Sequence, residues 1–323
     1  MTDMKFTRAI NQALRDAMAQ DETVMLVGED IAAAGGSFKA TRDLLDAFGP
    51  ERVRDTPISE ASLTSLAVGA AMTGMKPVVE IMFMDFITLA MDALVNQAAK
   101  AHFMFGGRSS VPMVLRTPHG GGVSAGPQHS QCLEAWLTHI PGLKVVCAST
   151  PGDAYGLLRS AISDPDPVVF VEHKAMYGRT GPVDTGSVIP LGKARVARNG
   201  RDVTLVTYGA AVYSCLSAAD RLASEGIEAE VIDLRTLQPW DKETVLASLQ
   251  RTHRIVIVHE AVQAFGVGAE IAAYVAYEGF DELDAPVLRV GAPFMPVPFA
   301  RSLEARYMVD ADKVCEAVKK VVS

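Results

Sequence analysis

Residues 54–60 read Arg54-Asp55-Thr56-Pro57-Ile58-Ser59-Glu60, and within this short stretch a strand is predicted to give way to a helix. Pro57 disfavours helical angles at the preceding Thr56, so the start of the stretch is expected to be extended. Ser59 is a good helix N-cap. After it, apolar residues recur at helical spacing, namely Leu63, Leu66, Ala67 and Ala70. The stretch therefore predicts a strand–turn–helix junction that carries Glu60.

Glu60 has two interpretations at this junction. In open α/β sheets the turn that follows a strand lies at the ligand-binding edge, where a carboxylate can contact a ligand. Alternatively, the carboxylate only complements the positive end of the helix. Motifs elsewhere in the chain are needed to choose between these two interpretations.

Composition and charge narrow the class of protein. The 323 residues suggest two domains, and a hydrophobic content of 49% is enough for two cores. A net charge of -8 argues against a protein that binds nucleic acid through a basic surface. No apolar run is long enough to span a bilayer. The N-terminus lacks the layout of a signal peptide, so a cytoplasmic protein is expected. Widely separated cysteines argue against a disulfide framework and a zinc site; they are Cys132, Cys147, Cys215 and Cys315.

Predicted strands and helices alternate along the chain. This alternation predicts largely parallel sheets with helices on both faces. It lapses into Gly, Pro and polar residues between Met176 and Pro190, which indicates a linker. We therefore expect an α/β fold of two doubly wound domains, residues 1–178 and 193–323, joined by a linker at 179–192.

A predicted glycine-rich loop from His119 to Gln128 leads to His129. A histidine there can reach a ligand and titrates near neutral pH, or it can simply hydrogen-bond the loop. The loop contains Gly122-Val123-Ser124-Ala125-Gly126, which formally matches a serine-hydrolase elbow. No predicted strand runs directly into Ser124, and this disfavours a hydrolase. Phe86, just past another predicted strand, is either ordinary core or a flat face for an aromatic ligand ring.

Six motifs occur together in a fixed order. They are Asp55 to Glu60, Glu80 to Phe86, Gln128-His129-Ser130-Gln131, Pro141 to Val146, Glu172-His173-Lys174, and Pro293 to Phe299. Over essentially the whole chain this pattern resembles the beta subunit of the thiamine-diphosphate-dependent E1 component of 2-oxo acid dehydrogenase complexes. Two of its segments make the chain especially similar to acetoin dehydrogenase beta subunits, namely Ile140-Pro141-Gly142-Leu143 and Glu172-His173-Lys174.

The resemblance implies an N-terminal pyrimidine-binding domain for thiamine diphosphate and a transketolase C-terminal-like domain. Glu60 matches the carboxylate that hydrogen-bonds the pyrimidine ring nitrogen. Phe86 matches the residue that stacks on that ring, and Ile58 matches an apolar residue of the same pocket. His129 matches the histidine that faces the substrate and the lipoyl group, where a proton is transferred. Glu60 and His129 are thus the expected catalytic residues.

Thiamine-diphosphate enzymes hold the diphosphate through Mg²⁺ bound by a Gly-Asp-Gly motif and a later asparagine. This chain has no Gly-Asp-Gly, and its asparagines are Asn11, Asn96 and Asn199. The resemblance therefore implies an alpha subunit that holds Mg²⁺ in an α2β2 assembly. It also implies a monovalent cation such as K⁺, held by main-chain oxygens of Met113, Ala161, Ile162, Asp164 and Asp166. The alternative there is an ordinary helix C-terminus followed by a turn.

The function implied is that of an E1 beta subunit. With its alpha partner it would decarboxylate a 2-oxo acid, or cleave acetoin, and reductively acylate lipoyl-E2. One alternative is a two-chain transketolase-like enzyme that transfers a two-carbon unit to a carrier thiol. Another is a noncatalytic docking subunit. The acyl donor is left open, because Leu89 and the glycine-rich loop depart from the family pattern.

Overall fold

The computed structural model of the chain describes every residue from Met1 to Ser323. The residues form two compact units. The first unit contains Met1–His119 and Trp136–Leu191, and the second contains Gly120–Ala135 and Gly192–Ser323.

Strands and helices alternate along both units. The strands are β1 (Thr2–Lys5), β2 (Val24–Gly28), β3 (Val53–Asp55), β4 (Lys76–Glu80), β5 (Val114–His119), β6 (Lys144–Cys147), β7 (Val168–His173), β8 (Thr180–Val183), β9 (Arg195–Arg198), β10 (Val203–Thr207), β11 (Ala229–Asp233), β12 (Thr236–Gln238), β13 (Ile255–Val262) and β14 (Leu288–Ala292). The α-helices are α1 (Phe6–Gln20), α2 (Leu44–Phe48), α3 (Glu60–Met72), α4 (Ile87–Asp92), α5 (Ala99–Met104), α6 (Glu134–Thr138), α7 (Pro151–Ser163), α8 (Ala211–Ala223), α9 (Lys242–Thr252), α10 (Val267–Glu278), α11 (Arg301–Tyr307) and α12 (Ala311–Val322). A π-helical stretch, Ala93–Ala98, joins α4 to α5, and 3-10 turns cover Met84–Phe86, Lys174–Met176 and Phe280–Glu282.

A parallel sheet forms the centre of the first unit, with strands in the order β6-β7-β5-β4-β2-β3. Strand β2 is buried along its whole length, which is typical of a parallel strand covered on both faces. Helix α1 buries Phe6, Ile10 and Leu14 at the spacing of an amphipathic helix, and it packs against α7. Helices α3 and α4 pack against each other.

Part of the predicted linker is a strand. Strand β8 pairs antiparallel with β1, from Thr2 opposite Val183 to Lys5 opposite Thr180. The first unit accordingly continues to Leu191, because this pairing ties the segment to the N-terminus. In addition, Gly120–Ala135 belongs to the second unit. The compact units therefore differ from the predicted domain boundaries in these two places, and the boundaries themselves stay a prediction.

The second unit has its own sheet, ordered β14-β13-β10-β11-β9, with only β9 antiparallel to its neighbour. Its core lies where α8 and α12 meet the strands, around Leu205, Cys215 and Val318. Burial raises the pKa of the Cys215 thiol to about 12, so this cysteine is a neutral core residue. The predicted α/β class is confirmed in both units. No helix combines the length and hydropathy needed to cross a membrane.

Strand register aligns several strand ends at one edge of the first sheet. Gly28 pairs with Asp55 on one side and with Glu80 on the other. Glu80 in turn pairs with Arg116. Since the strands are parallel, the residues that follow them leave at the carboxyl edge, where ligands bind in open α/β sheets.

A buried ion cluster lies at this edge. The Arg116 guanidinium donates to Glu80 Oε2 at 2.7 Å and to both Glu172 oxygens at 2.7 and 3.0 Å. The Tyr177 hydroxyl donates to Glu172 Oε2 at 2.6 Å. Burial raises the pKa of the Glu80 carboxyl; Arg116 opposes this shift and Glu172 adds to it. Burial alone would lower the pKa of Arg116, but the Glu172 and Glu80 carboxylates raise it. Arg116 therefore stays charged between two acids.

Replacing Arg116 with Met should destabilise the chain strongly, because it leaves two buried carboxylates without their cation. Removing one partner of a buried ion pair costs about 3–5 kcal/mol. The matched control is Arg54→Met, which breaks an exposed pair with Glu51; exposed pairs contribute about 0–1 kcal/mol. Urea unfolding of both variants measures the difference, and equal losses would contradict the assigned importance of the cluster.

Candidate functional site

Glu60 is the first residue of α3 and is only 5% exposed. Ser59 occupies the N-cap position as predicted, but its side chain makes no capping bond to the helix. Its hydroxyl donates instead to Ser62 Oγ at 2.9 Å. The expected strand–turn–helix junction is present, because β3 ends at Asp55 and α3 begins at Glu60.

A second carboxylate, Glu29, lies beside Glu60. It follows β2 directly, is buried, and accepts the Ser59 main-chain N–H at 3.2 Å. Burial raises the pKa of Glu29, the Glu60 carboxylate raises it further, and the Ser59 N–H opposes the shift. A neighbouring like charge disfavours the ionised form of a carboxyl. Sequence reasoning assigned no role to Glu29, although an acid directly after a continuously apolar strand was a usable signal.

Two predicted pocket residues lie in the same unit. Phe86 ends a 3-10 turn after β4, is partly exposed, and meets the Phe83 ring edge-on at 6.2 Å between centroids. Ile58 is 80% exposed, just before α3. The structure thus leaves surface on both side chains for a ligand or another chain.

His129 belongs to the other compact unit, at the end of the glycine-rich loop. Its main-chain N–H donates to Gly126 O at 3.3 Å, and its side chain is partly exposed. The helix that follows His129 is short, since α6 covers only Glu134–Thr138.

Two buried acids hold this loop. Glu304 accepts hydrogen bonds from Gly122 N at 2.9 Å, Ser124 N at 2.9 Å and Ser124 Oγ at 3.2 Å. Glu260 accepts the Gly121 N–H at 2.7 Å. Ser124 therefore donates to a carboxylate and has no strand leading into it, which agrees with the argument against a hydrolase elbow.

The backbone explains why the loop needs glycine. Gly120, Gly122 and Gly126 have φ values of 87°, 85° and 78°, a region that other residues rarely adopt. A Cβ on Gly126 would also collide with the Phe299 ring. The glycine content that departed from the family pattern thus follows from the conformation that the loop adopts here.

The predicted cation positions lie around the end of α7. Ala161 and Ile162 are in its last turn, and the Asp164 N–H donates to Ala161 O at 3.3 Å. The side chains of Asp164 and Asp166 accept from Lys144 Nζ at 2.6 and 3.2 Å. Met113 O accepts the Val168 N–H at 3.0 Å. The aspartate side chains are therefore used by Lys144, and any ion here would rely on main-chain oxygens.

Comparison with known families gives two matches that cover most of the chain. Residues 2–180 match the transketolase pyrimidine-binding domain, and residues 192–314 match the transketolase C-terminal domain. The chain is 45% identical over 323 residues to the pyruvate dehydrogenase E1 component subunit beta-2, mitochondrial, of Oryza sativa subsp. japonica, covering 98% of this chain and 86% of that protein. It is 47% identical over 319 residues to the acetoin:2,6-dichlorophenolindophenol oxidoreductase subunit beta of Bacillus subtilis, covering 95% and 93%.

This chain belongs to the E1 beta subunit family. The recognition made from the sequence motifs is thereby confirmed, as are the thiamine-diphosphate-type fold and the assignment to an oxidoreductase component. Pyruvate and acetoin relatives are similar to this E1 beta chain to nearly the same degree, so identity alone does not choose between their substrates.

A solved structure supports the fold independently. A protein titled "Split gene transketolase, inactive beta4 tetramer" superposes with a TM-score of 0.82, covering 99% of this E1 beta chain and 98% of that chain. The two are 22% identical, so this likeness concerns the fold.

Replacing Glu29 with Gln should stabilise this E1 beta chain increasingly as pH rises. A carboxyl whose pKa is raised in the folded state contributes most stability below its ordinary pKa of 4.5, and that contribution is lost as pH rises through the folded-state pKa. Gln carries no such charge, so the stability difference, Glu29→Gln minus wild type, should grow from pH 4.5 upward.

Chemical denaturation over a pH series measures this difference, with the exposed Glu22→Gln as the matched control. A difference for Glu29→Gln that stays flat with pH, as in the control, would show that Glu29 is not strained by burial and by Glu60.

Proposed function

We propose that this E1 beta chain acts with an alpha subunit in an α2β2 enzyme that uses thiamine diphosphate. The enzyme would decarboxylate a 2-oxo acid or cleave acetoin, and would pass the acyl group reductively to the lipoyl group of an E2 core. The observation that carries the proposal is the buried pair Glu29 and Glu60 at the carboxyl edge of the first sheet. A carboxyl whose pKa is raised by burial and by a neighbouring acid, as that of Glu29 is, marks a candidate functional site.

The surroundings of Glu60 fit the pyrimidine half of the cofactor. Its carboxylate is nearly buried, yet no hydrogen bond from within the chain engages it. A buried acid without a partner is unfavourable, so a donor from a ligand would be stabilising. Thiamine diphosphate supplies the carbanion chemistry when bound. Glu60 would hydrogen-bond its pyrimidine ring nitrogen and share a proton there.

Glu29 would influence the proton that Glu60 shares with the ligand. Two neighbouring carboxylates repel each other when both are ionised. Because its pKa is raised, Glu29 keeps its proton to a higher pH than an ordinary carboxyl does. A protonated Glu29 adds no like charge beside Glu60, where the ligand would bind.

Phe86 and Ile58 would complete the pyrimidine pocket of this chain. The partly exposed Phe86 ring offers a flat face for stacking, which aromatic rings favour in offset or edge arrangements. The exposed Ile58 side chain would lose its contact with water when a ligand or the alpha subunit covers it.

His129 would exchange a proton with the substrate or the lipoyl group. Imidazole is the side chain used most often for general acid–base catalysis. The loop that presents it is fixed by Glu304 and Glu260, so the imidazole starts from a defined position.

The alpha subunit would supply the magnesium and diphosphate half of the site. Two of the asparagines already serve the fold. Asn11 Nδ2 donates to Ala40 O and Arg42 O, both at 2.9 Å, and Asn96 Nδ2 donates to Asp92 at 2.7 Å. The absence of a Gly-Asp-Gly motif from the sequence supports the same division between two chains.

Two further parts of the proposal concern K⁺ and location. Main-chain oxygens of the α7 end would hold K⁺, at Met113, Ala161, Ile162, Asp164 and Asp166. A cytoplasmic location stays a prediction, because the relatives include proteins named as mitochondrial.

Replacing Glu60 with Gln should preserve folding and assembly while lowering activity by about 10²-fold or more, since the amide cannot exchange the shared proton. Hydrogen exchange at the cofactor's thiazolium carbon, followed by NMR, should slow in parallel. If Glu60 only complements the helix end, the variant should lose about 0.3–1 kcal/mol of stability and keep its activity. The exposed Glu51→Gln is the control, and wild-type exchange in an assembled Glu60→Gln enzyme would reject the assignment.

The isolated chain should bind thiamine diphosphate weakly, whereas the complex with the alpha subunit should bind it tightly. Calorimetry on both preparations tests this, followed by assays with pyruvate, acetoin and a ketose phosphate as donors. Micromolar binding by the isolated chain would refute the split site. Activity with the ketose phosphate alone would favour the transketolase-like alternative, and an assembled complex with no activity would favour a docking subunit.

A further inference from the structure

A cavity of ≈ 320 Å³ lies within the second unit. This volume is at the lower end of the range for small-molecule sites, about 300–1,000 Å³. Apolar side chains dominate its lining, which consists of Pro127, Gln131, Cys132, Leu133, Val262, Phe294, Met295, Pro296, Val297 and Tyr307. None of the residues proposed above for the cofactor, the proton transfer or the cation lines this cavity.

The cavity has a mouth and a floor. Phe294 is 79% exposed and Met295 is half exposed, so these two side chains flank the opening. Val297 and Tyr307 are 5% and 7% exposed and form the closed end. A ligand entering between Phe294 and Met295 would thus be largely removed from water, which is where apolar contact is most favourable.

One wall is the chain on either side of His129. Pro127 precedes this histidine, and Gln131 to Leu133 follow it. The same loop is fixed further upstream by its hydrogen bonds to Glu304 and Glu260. The wall is therefore pre-formed, which lowers the free-energy cost of ordering it around a ligand.

Charge at the cavity favours an uncharged ligand. Glu260 Oε1 lies 3.9 Å from Cys132 Sγ and accepts its S–H, so the thiol is a neutral donor beside a carboxylate. Burial raises the pKa of Tyr307, and Cys132 and Glu260 raise it further, so the phenol keeps its proton. An anion would be repelled by Glu260, whereas a neutral carbonyl oxygen could accept from Tyr307 or the Gln131 amide.

We propose that this cavity binds a small, uncharged, apolar molecule carrying one carbonyl group, and that the bound molecule rests against both flanks of His129. The ring or alkyl part would fill the space between Leu133, Val262 and Val297. The carbonyl would face the donors of Tyr307 and Gln131.

Acetophenone and benzoate are suitable probes, because they share a phenyl ring and differ in charge. The full-length chain is labelled with ¹³C at its methionine methyl groups, so that Met295 reports on the cavity. We expect acetophenone to shift the Met295 signal saturably, and benzoate to leave it in place. A Met295 signal that ignores acetophenone, or that responds equally to benzoate, would overturn the proposal.

Variants locate the binding. Val297→Trp should fill the cavity and abolish the shift, whereas Val188→Trp, at an exposed position in the other unit, should leave it intact. Tyr307→Phe should weaken acetophenone binding by about 2- to 10-fold, the effect of one hydrogen bond. Equal binding by wild type and a folded Val297→Trp would reject the site.

A crystal soaked with acetophenone keeps the test decisive if Val297→Trp does not fold. Density for acetophenone between Phe294 and Tyr307 is the expected result, and density only elsewhere on the chain would reject the site. No cofactor, donor or alpha subunit enters these measurements, so their result is independent of the proposed activity.

Discussion

The parallel register of the first sheet determines which distant side chains become neighbours. Gly28 lies beside Asp55 and Glu80, and each of these residues is the last of its strand, so β2, β3 and β4 end at the same level. The chain leaving each strand must then cross a single edge. Glu29 leaves β2 there, and the segment after β3 leads to Glu60. A register slip of one residue would turn each strand's side chains to the opposite face and separate these groups.

Acids at this edge are stabilised in two different ways. Arg116 neutralises Glu80 and Glu172 inside the protein, so those carboxyls serve the fold. No cation lies against Glu29, and only the Ser59 N–H opposes the rise of its pKa. Burying a carboxyl without a counter-charge destabilises the folded chain, and the fold does not require it. The difference between the two groups is therefore the physical reason to regard Glu29 and Glu60 as functional.

Local sequence patterns predicted the helices and strands of this chain well, but they did not predict which side chains contact one another. The change from strand to helix between Asp55 and Glu60 follows from proline, serine and helical periodicity, all of which are local. The Ser59 hydroxyl donates to Ser62 rather than capping the helix. The sequence does not show which of several nearby partners a hydroxyl will bond. A functional role for Glu29 follows only from its proximity to Glu60, and this proximity results from the register of the strands. The roles of Ile58, Glu60, Phe86 and His129 stay predictions, because they depend on groups outside this chain.

The contacts of the glycine-rich loop were also not predictable from local sequence patterns. Its glycines predicted a turn, but not that Glu260 and Glu304 would receive its N–H groups from far along the chain. Glu304 alone accepts from three donors, so one side chain fixes both Gly122 and Ser124. Glu29, by contrast, is held in surroundings that favour its proton. The two candidate catalytic residues therefore have different surroundings: His129 follows a loop fixed by hydrogen bonds to two acids, whereas Glu60 lies beside an acid whose charged form is disfavoured.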